Sequence, residues 1–578
     1  MIKTNYDKNP KIEILGYESE AWSGRDKVCS VLKAAVEKRK GKRTILTLEC
    51  YPGVRKEDIN TLLEGLSVAL WIDSDSCAYE GEVLDQMMER ELTDDRVFGI
   101  YTTHSLEDYF DQEKLKDATE QVEETEGLVV ICGTGASLIH EGDVLVYCDM
   151  ARWEIQLRYR VGMSNWNTEN SEAPILSKYK RGYFIEWRIA DKLKKKLMNC
   201  IDFVLDTNTE GVWNMATGNA FRQGLKQVAG QPFRVVPYFD PGVWGGQWMK
   251  KVCGLDESKK NYAWSFDGVP EENSILLDFG TTVLQVPAID VVFYCPHELL
   301  GEHVHARFGA EFPIRFDFLD TMEGQNLSLQ VHPLTEYIQE KFNMRYTQDE
   351  SYYILDAEEK DTYVYLGLKE GIDKEAMAKD LYAAQNGQIS FPAEQYVNKI
   401  SVKKHDHILI PAGTVHCSGA GTMVLEISAT PYIFTFKLWD WDRVGLDGLP
   451  RTTHIEHGLA NIQWDRDTKW VMEHLVGQVK LQKEEEGVKI EKTGLHEREF
   501  IETTRIWTEK DVLVETKDSV NMLNLVEGDA VTVYSVDGSF EPYEVHYAET
   551  FIVPASVKEY ILRPKTGKKV GVICARVR

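Results

Sequence analysis

The sequence predicts a multidomain chain: an α/β layered domain with a mainly parallel sheet, then an all-β region carrying one small helical insert. Three observations predict this. The chain has 578 residues, too many for one core at roughly 150 residues per domain. Residues 1–230 alternate short apolar runs with helix-length charged stretches, the pattern of strands and helices in layers. From about Pro232 the runs become shorter and are punctuated by Gly and Pro, which indicates a sandwich or barrel.

Taken in order, strands are predicted at residues 44–48, 69–72, 128–132 and 144–148, each short and apolar. Helices are predicted at 27–40, 106–124 and 186–199, and the acidic run 120–126 is read as a solvated helix end. The β-rich part offers runs at 274–279, 312–319, 327–331, 352–355 and 363–368. A helix over 373–385 interrupts them, and strands resume at Ile408. The last segment adds runs at 512–516, 530–535 and 549–554. The expected division is 1–230, then 231–465 with its insert near 370–395, then 466–578.

Composition narrows the function. Hydrophobic residues at 43% and aromatics at 11% suffice for packed interiors. A formal charge of -27 would be repelled by nucleic acid or an anionic membrane, so neither is expected as a partner. The opening residues contain no apolar signal-like stretch and no run reaches membrane-spanning length, so a cytoplasmic protein is expected. Ten cysteines without a CxxC pair read as reduced thiols.

Two constellations carry chemistry. Gln330 and His332 are two apart, so on a strand they share a face. Glu350 opens another strand-like run, and His416 follows a Pro-Ala-Gly turn. One amide, one carboxylate and two imidazoles suit zinc or another divalent first-row metal with positions left open. The alternative is a set of buried, hydrogen-bonded core residues. The second constellation is LVVICGTGASLI, where Gly133 and Gly135 follow a buried strand. Such a turn can present backbone N–H groups to phosphate. Asp149 ends the next strand, where a magnesium-linked carboxylate could stand, and Arg152, Arg158 and Arg160 follow.

The first constellation resembles the metal-binding core of type I phosphomannose isomerases, which are cupin enzymes. Trp244-Gly245-Gly246, the LLGE, RFG, FP, FLD and QVHP landmarks between Leu299 and Pro333, IPAGTVHCSGAG from Ile410, LWDWDR and HIEHGL occur in the family's order. The resemblance implies a double cupin, or jelly roll, whose second repeat binds no metal, with His546 structural. It also implies an aldose–ketose isomerase, most simply on mannose 6-phosphate and fructose 6-phosphate, with Gln330, His332, Glu350 and His416 as ligands. The amino-terminal part resembles P-loop nucleoside and nucleotide kinases, but its Gly-rich turn lacks the Lys-Ser/Thr that reaches phosphates and magnesium. It is read either as a degenerate kinase-like scaffold or as a nucleotide site built on Gly133, Gly135 and Asp149.

An isomerase must move a proton between neighbouring carbons, stabilise an enediolate and hold the phosphate. The substrate-facing cations depart from the resembled family. Gln348 stands where many relatives carry lysine, and Asp317, with Arg315 two residues before it, replaces another lysine. Lys437 stands where they carry arginine, and it is the residue expected to act on substrate. An intact ligand set with remodelled cations leaves two readings: a metal-dependent sugar-phosphate isomerase, or a non-catalytic cupin that senses a sugar.

Overall fold

The computed structural model describes residues 5–39, 41–359, 361–430, 434–445, 448–494, 496 and 498–578. The chain forms two units whose limits do not follow the sequence order. One holds Lys11–Val228 and Ser274–Tyr294; the other holds the segment ending at Pro10, Ala229–Asn273 and Cys295–Arg578. The run at 274–279, expected among the later strands, therefore belongs elsewhere. Its strand Ser274–Asp278 pairs in parallel with Lys11–Glu13 and antiparallel with Val283–Pro287. An apolar run signals burial, and nothing in it names the partner strand.

In the α/β unit a seven-stranded sheet runs Ala21–Ser23, Asn214–Thr217, Phe203–Asp206, Val144–Asp149, Arg43–Cys50, Gly127–Gly133, Val68–Asp73. The last five in that order pair in parallel, and the first two join antiparallel. Arg43–Cys50 is central and buried on both faces, contributing Leu46 and Leu48 to a core with Val130, Val146 and Leu205. Helix Arg25–Glu37 lays Val28, Leu32 and Val36 on that core at helical spacing; Lys40, the expected end of this helix, lies outside the described residues. The single helix expected over 106–124 is two elements. A 3-10 turn at Leu106–Tyr109 is closed by a capping box between Ser105 and Asp108. The chain then breaks, and Asp111 caps Gln112–Glu124 by accepting from the N–H groups of Glu113 and Lys114.

In the β-rich unit one six-stranded sheet runs His407–Ile410, Asp349–Ala357, Thr422–Ala429, Arg315–Asp320, Trp264–Gly268, Tyr238–Asp240. A five-stranded sheet runs Val397–Ser401, Tyr363–Leu368, His416–Ser418, Leu329–Val331, Phe436–Trp439. Contacts of His332 and His416 with Glu350 and Tyr352 set these two sheets face to face. The helical insert appears as Lys374–Gln385, capped by Asp373. Downstream lie a six-stranded and a four-stranded sheet around Leu523, Leu525, Val531, Val533, Phe551 and Leu562. His546 lies there 3.0 Å from Glu544 and 3.3 Å from Glu549. Among the described residues no helix is long and apolar enough to cross a membrane.

Candidate metal centre

Strand pairing assembles the site. Gln330 lies opposite His416 across one ladder and opposite Lys437 across the other, so all three side chains share a face. Glu350 pairs with Ser428 on the facing sheet. His332 Nε2 lies 2.6 Å from Glu350 Oε2, His416 Nε2 lies 3.8 Å from Glu350 Oε1, and Gln330 Nε2 lies 3.2 Å from His416 Nε2. Donor atoms of His332, Glu350 and His416 all fall within 4.8 Å of one another, and all three residues are buried. Of the four ligands expected from sequence, all four are brought together.

The orientation of the rings tests whether a cation fits. His332 Nδ1 faces the Phe434 carbonyl at 2.8 Å, and His416 Nδ1 faces the Thr414 carbonyl at 2.8 Å. Each contact holds the proton on Nδ1 and turns the Nε2 lone pair inward, the usual arrangement behind a metal-bound imidazole. At His332 that lone pair then meets a carboxylate oxygen at 2.6 Å. Two acceptors that close require a cation or a proton between them. Glu350 Oε1 is buried and makes no hydrogen bond of good geometry among the described residues. Burial pushes His416 down to about 4, outweighing the opposing pull of Glu350, so the ring is neutral near pH 7. Burial disfavours a charged Glu350, but the positive charge and hydrogen bond of His332 prevail and hold its carboxyl below the usual range. These residues fit a divalent first-row metal, with Gln330 able to turn its amide oxygen inward.

Beside the ligands runs a polar row that the sequence only partly revealed. Register places Glu350, Ser428 and Arg315 in one line, and Tyr352, Glu426 and Asp317 in the next. Gln348 accepts from Phe434 N at 2.9 Å and donates to Glu426 Oε1 at 3.0 Å and Glu350 Oε2 at 3.3 Å. Arg315 is closed onto Asp317 at 2.6 Å. Burial, then Glu350 and Asp317, push the Glu426 carboxyl well up. Glu426 was not singled out in the sequence; the available signal was a charged residue within the apolar run TMVLEISA.

Lys437 is half-buried on the metal-facing side, and its ammonium has no hydrogen bond or ion pair among the described residues. The neighbouring Asp440 is held instead by Arg443 and by Arg451, the latter at 2.7 Å. Burial first, and Arg451 next, lower Lys437 to about 8.

The turn at Gly133 and Gly135 does not offer free N–H groups, and this corrects the expectation of an open anion turn. Glu49, at the end of the central strand, accepts from Gly135 N at 2.7 Å, Ser137 N at 2.8 Å and Ser137 Oγ at 2.7 Å. Thr134 N donates to Asp75 Oδ1 at 3.1 Å. A carboxylate of the chain itself thus fills the place a phosphate would take. Asp149 is fully buried and bonded to Lys194 at 2.7 and 2.8 Å, so it opens on no pocket. Arg152 pairs with Asp191, and Arg158 binds the carbonyls of Gly53 and Thr207.

The pair of facing sheets with a half-buried amide, a buried carboxylate and two buried imidazoles defines a candidate metalloprotein. A 233-residue stretch, 40% of this chain, is 27% identical to 68% of "Probable mannose-6-phosphate isomerase GmuF" of Bacillus subtilis (strain 168). A 220-residue stretch, 38% of this chain, is 27% identical to 63% of the mannose-6-phosphate isomerase of Streptococcus mutans serotype c (strain ATCC 700610 / UA159). The chain is thus homologous, over part of its length, to mannose-6-phosphate isomerases. The crystal structure of mannose 6-phosphate isomerase from Bacillus subtilis overlays 60% of this chain and 100% of its own, with 17% identity and a TM-score of 0.49. Residues 24–230 match a domain of unknown function, DUF8485.

Proposed function

We propose that the chain is a metal-dependent aldose–ketose isomerase acting on a sugar phosphate through a cupin site, with mannose 6-phosphate and fructose 6-phosphate as the pair to test first. The observation that carries this reading is the convergence of His332, Glu350 and His416, whose donor atoms all lie within 4.8 Å of one another. When bound, the metal supplies a Lewis acid for the substrate oxygens. The chain's own groups supply the rest. Lys437, unpaired and facing the metal side, holds an anionic substrate group. Glu426, whose carboxyl burial pushes well up, is the acid/base candidate beside the ligands.

A second reading, a sugar-sensing site without turnover, is favoured by one observation: Arg315 is spent on Asp317, and a neutral Gln348 adjoins Glu350. Metal analysis of the purified chain, with a coupled assay on mannose 6-phosphate, separates the two. Stoichiometric metal with turnover supports the isomerase. Stoichiometric metal with sugar binding and no turnover supports sensing, and absence of metal binding rejects both. The α/β unit receives no nucleotide in this reading, because Glu49 occupies the turn.

A further inference from the structure

We propose that the outer face of the metal-bearing five-stranded sheet carries a second sugar site, a shallow aromatic concavity that binds one uncharged hexose ring. The concavity encloses about 270 Å³ and is lined chiefly by Tyr365, Phe391, Trp439, Trp441, Glu394 and Gln395. Register fixes which side of the sheet it occupies. Lys437 pairs with Gln330 and faces the metal, whereas Trp439, across a bulge, pairs with Leu329 and faces away. Tyr365 pairs with Cys417, next to the Leu366–His416 pair that faces inward. Tyr365 and Trp439 therefore stand on the outer face of the sheet, on the two strands that flank those carrying Gln330 and His416.

The four rings make one curved apolar wall. Trp439 and Trp441 lie 4.3 Å apart at 46°, Tyr365 and Trp441 5.4 Å at 45°, and Phe391 and Trp439 5.7 Å at 65°. Their polar atoms are already engaged. Trp439 Nε1 donates to Asp442, Trp441 Nε1 to the Leu327 carbonyl, and Tyr365 OH to Glu394 Oε1. What the rings leave for a ligand is face and edge. Trp441 and Asp442 both have φ of 55°, a conformation bulky residues seldom adopt. That backbone holds the half-buried Trp441 ring at the opening.

Hydrogen bonding for a ligand comes from the rim. Among the described residues Glu394 Oε1 is taken by Tyr365 and Lys399, while Oε2 and the Gln395 amide have no partner. An apolar wall beside one free carboxylate oxygen and one free amide matches a pyranose, which presents a C–H face on one side and hydroxyls at its edge. An aromatic wall also attracts cations. Here Lys399 sits 2.8 Å from Glu394 and 4.1 Å over the Tyr363 ring, and Lys369 binds the Glu394 carbonyl. Lys399 already offsets the charge of the Glu394 carboxylate at the rim, so a neutral polyol is favoured over a quaternary ammonium ligand.

The test uses the full chain stripped of metal, so that the site holding Gln330, His332, Glu350 and His416 is disabled, and D-mannose as the probe. We expect a saturable change in tryptophan fluorescence, matched by calorimetric heat, with a Kd of about 1 mM. Trp441→Ala should abolish it. Should that variant unfold, the exposed double change Glu394→Gln with Gln395→Ala should still weaken binding roughly tenfold. His416→Ala should leave it unchanged. The proposal is overturned by no saturable change, by a change that survives the rim variant, by loss in His416→Ala, or by tighter binding of tetramethylammonium than of mannose. Each readout is independent of turnover, so failure of this site leaves the isomerase reading standing.

Discussion

Replacing Lys194 by Met should cost the α/β unit about 3–5 kcal/mol. Lys194 is 1% exposed, and Asp149 and Asp290 are both fully buried. Its ammonium bonds Asp149 at 2.7 and 2.8 Å and pairs with Asp290, which arrives on the helix Ile289–Tyr294. Without it two buried carboxylates face each other with no counter-charge, and Coulomb repulsion at an effective dielectric near 20 reaches about 4 kcal/mol at 4 Å. The sign of the pH dependence follows from Asp290. Burial, and Asp149 after it, already raise its pKa well above the usual value while Lys194 opposes them. Removing Lys194 raises it further. A carboxyl raised in the folded state favours folding below the unfolded pKa, about 3.9, and that contribution is lost as pH rises. The deficit of Lys194→Met should therefore be larger at pH 8 than at pH 5. Asp290→Asn retains the Lys194–Asp149 bond and should cost about 1 kcal/mol or less. Because a chain of two units need not unfold in one step, hydrogen exchange in Val144–Asp149 and Trp187–Leu197 is the proper readout. We expect exchange about 10²- to 10⁴-fold faster in Lys194→Met at pH 8. Equal effects of the two variants, or a deficit that shrinks toward pH 8, would refute the reasoning.

Saturating zinc should raise the melting temperature of the wild type, equivalent to about 2.7 kcal/mol at a hundredfold excess over Kd, and Glu350→Ala or His416→Ala should remove the effect. Lys437→Ala should abolish turnover with metal content unchanged. Because the Lys437 ammonium titrates at about 8 and is charged below that, turnover that depends on it should fall above pH 8. Glu49→Ala strands the N–H groups of Gly135 and Ser137 and should destabilise the α/β unit by about 1–3 kcal/mol, read by hydrogen exchange in Gly127–Gly133; the wild type should give no calorimetric heat with millimolar ATP. A fragment of residues 11–228 should stay unfolded by circular dichroism and fold only with 274–294 fused to it, since Gln285 N donates to Asp206 at 2.9 Å and Asn208 donates to the Gln285 carbonyl at 2.9 Å.

What the sequence could and could not show divides along one physical line. Spacing within a strand is local, so Gln330 and His332 could be placed on one strand, and landmarks of the resembled family supplied Glu350 and His416. The parallel strands of the α/β unit were legible because each is a short, continuous apolar run. Pairing across the chain is not local. Nothing in the run at 274–279 reveals that it completes the α/β unit, and nothing in residues 128–139 reveals that Glu49, more than eighty positions away, closes the turn. The same blindness hid Glu426, whose meaning depends on register against Asp317 and Tyr352. Glu49 also shows why a glycine-rich turn is weak evidence for a ligand. The turn needs an anion, and a buried carboxylate on the neighbouring strand satisfies it without any solute. Burial raises that carboxyl to about 7, even though three hydrogen bonds work to lower it. It is thus deprotonated, and strongest as an acceptor, only in the upper part of the neutral range. The metal site is the opposite case. There the chain brings His332 Nε2 within 2.6 Å of Glu350 Oε2, a spacing that only a shared proton or a bound cation satisfies. An anion turn that the chain fills from within is spent on folding, and a cluster of inward ligand atoms that a cation can satisfy is open to chemistry.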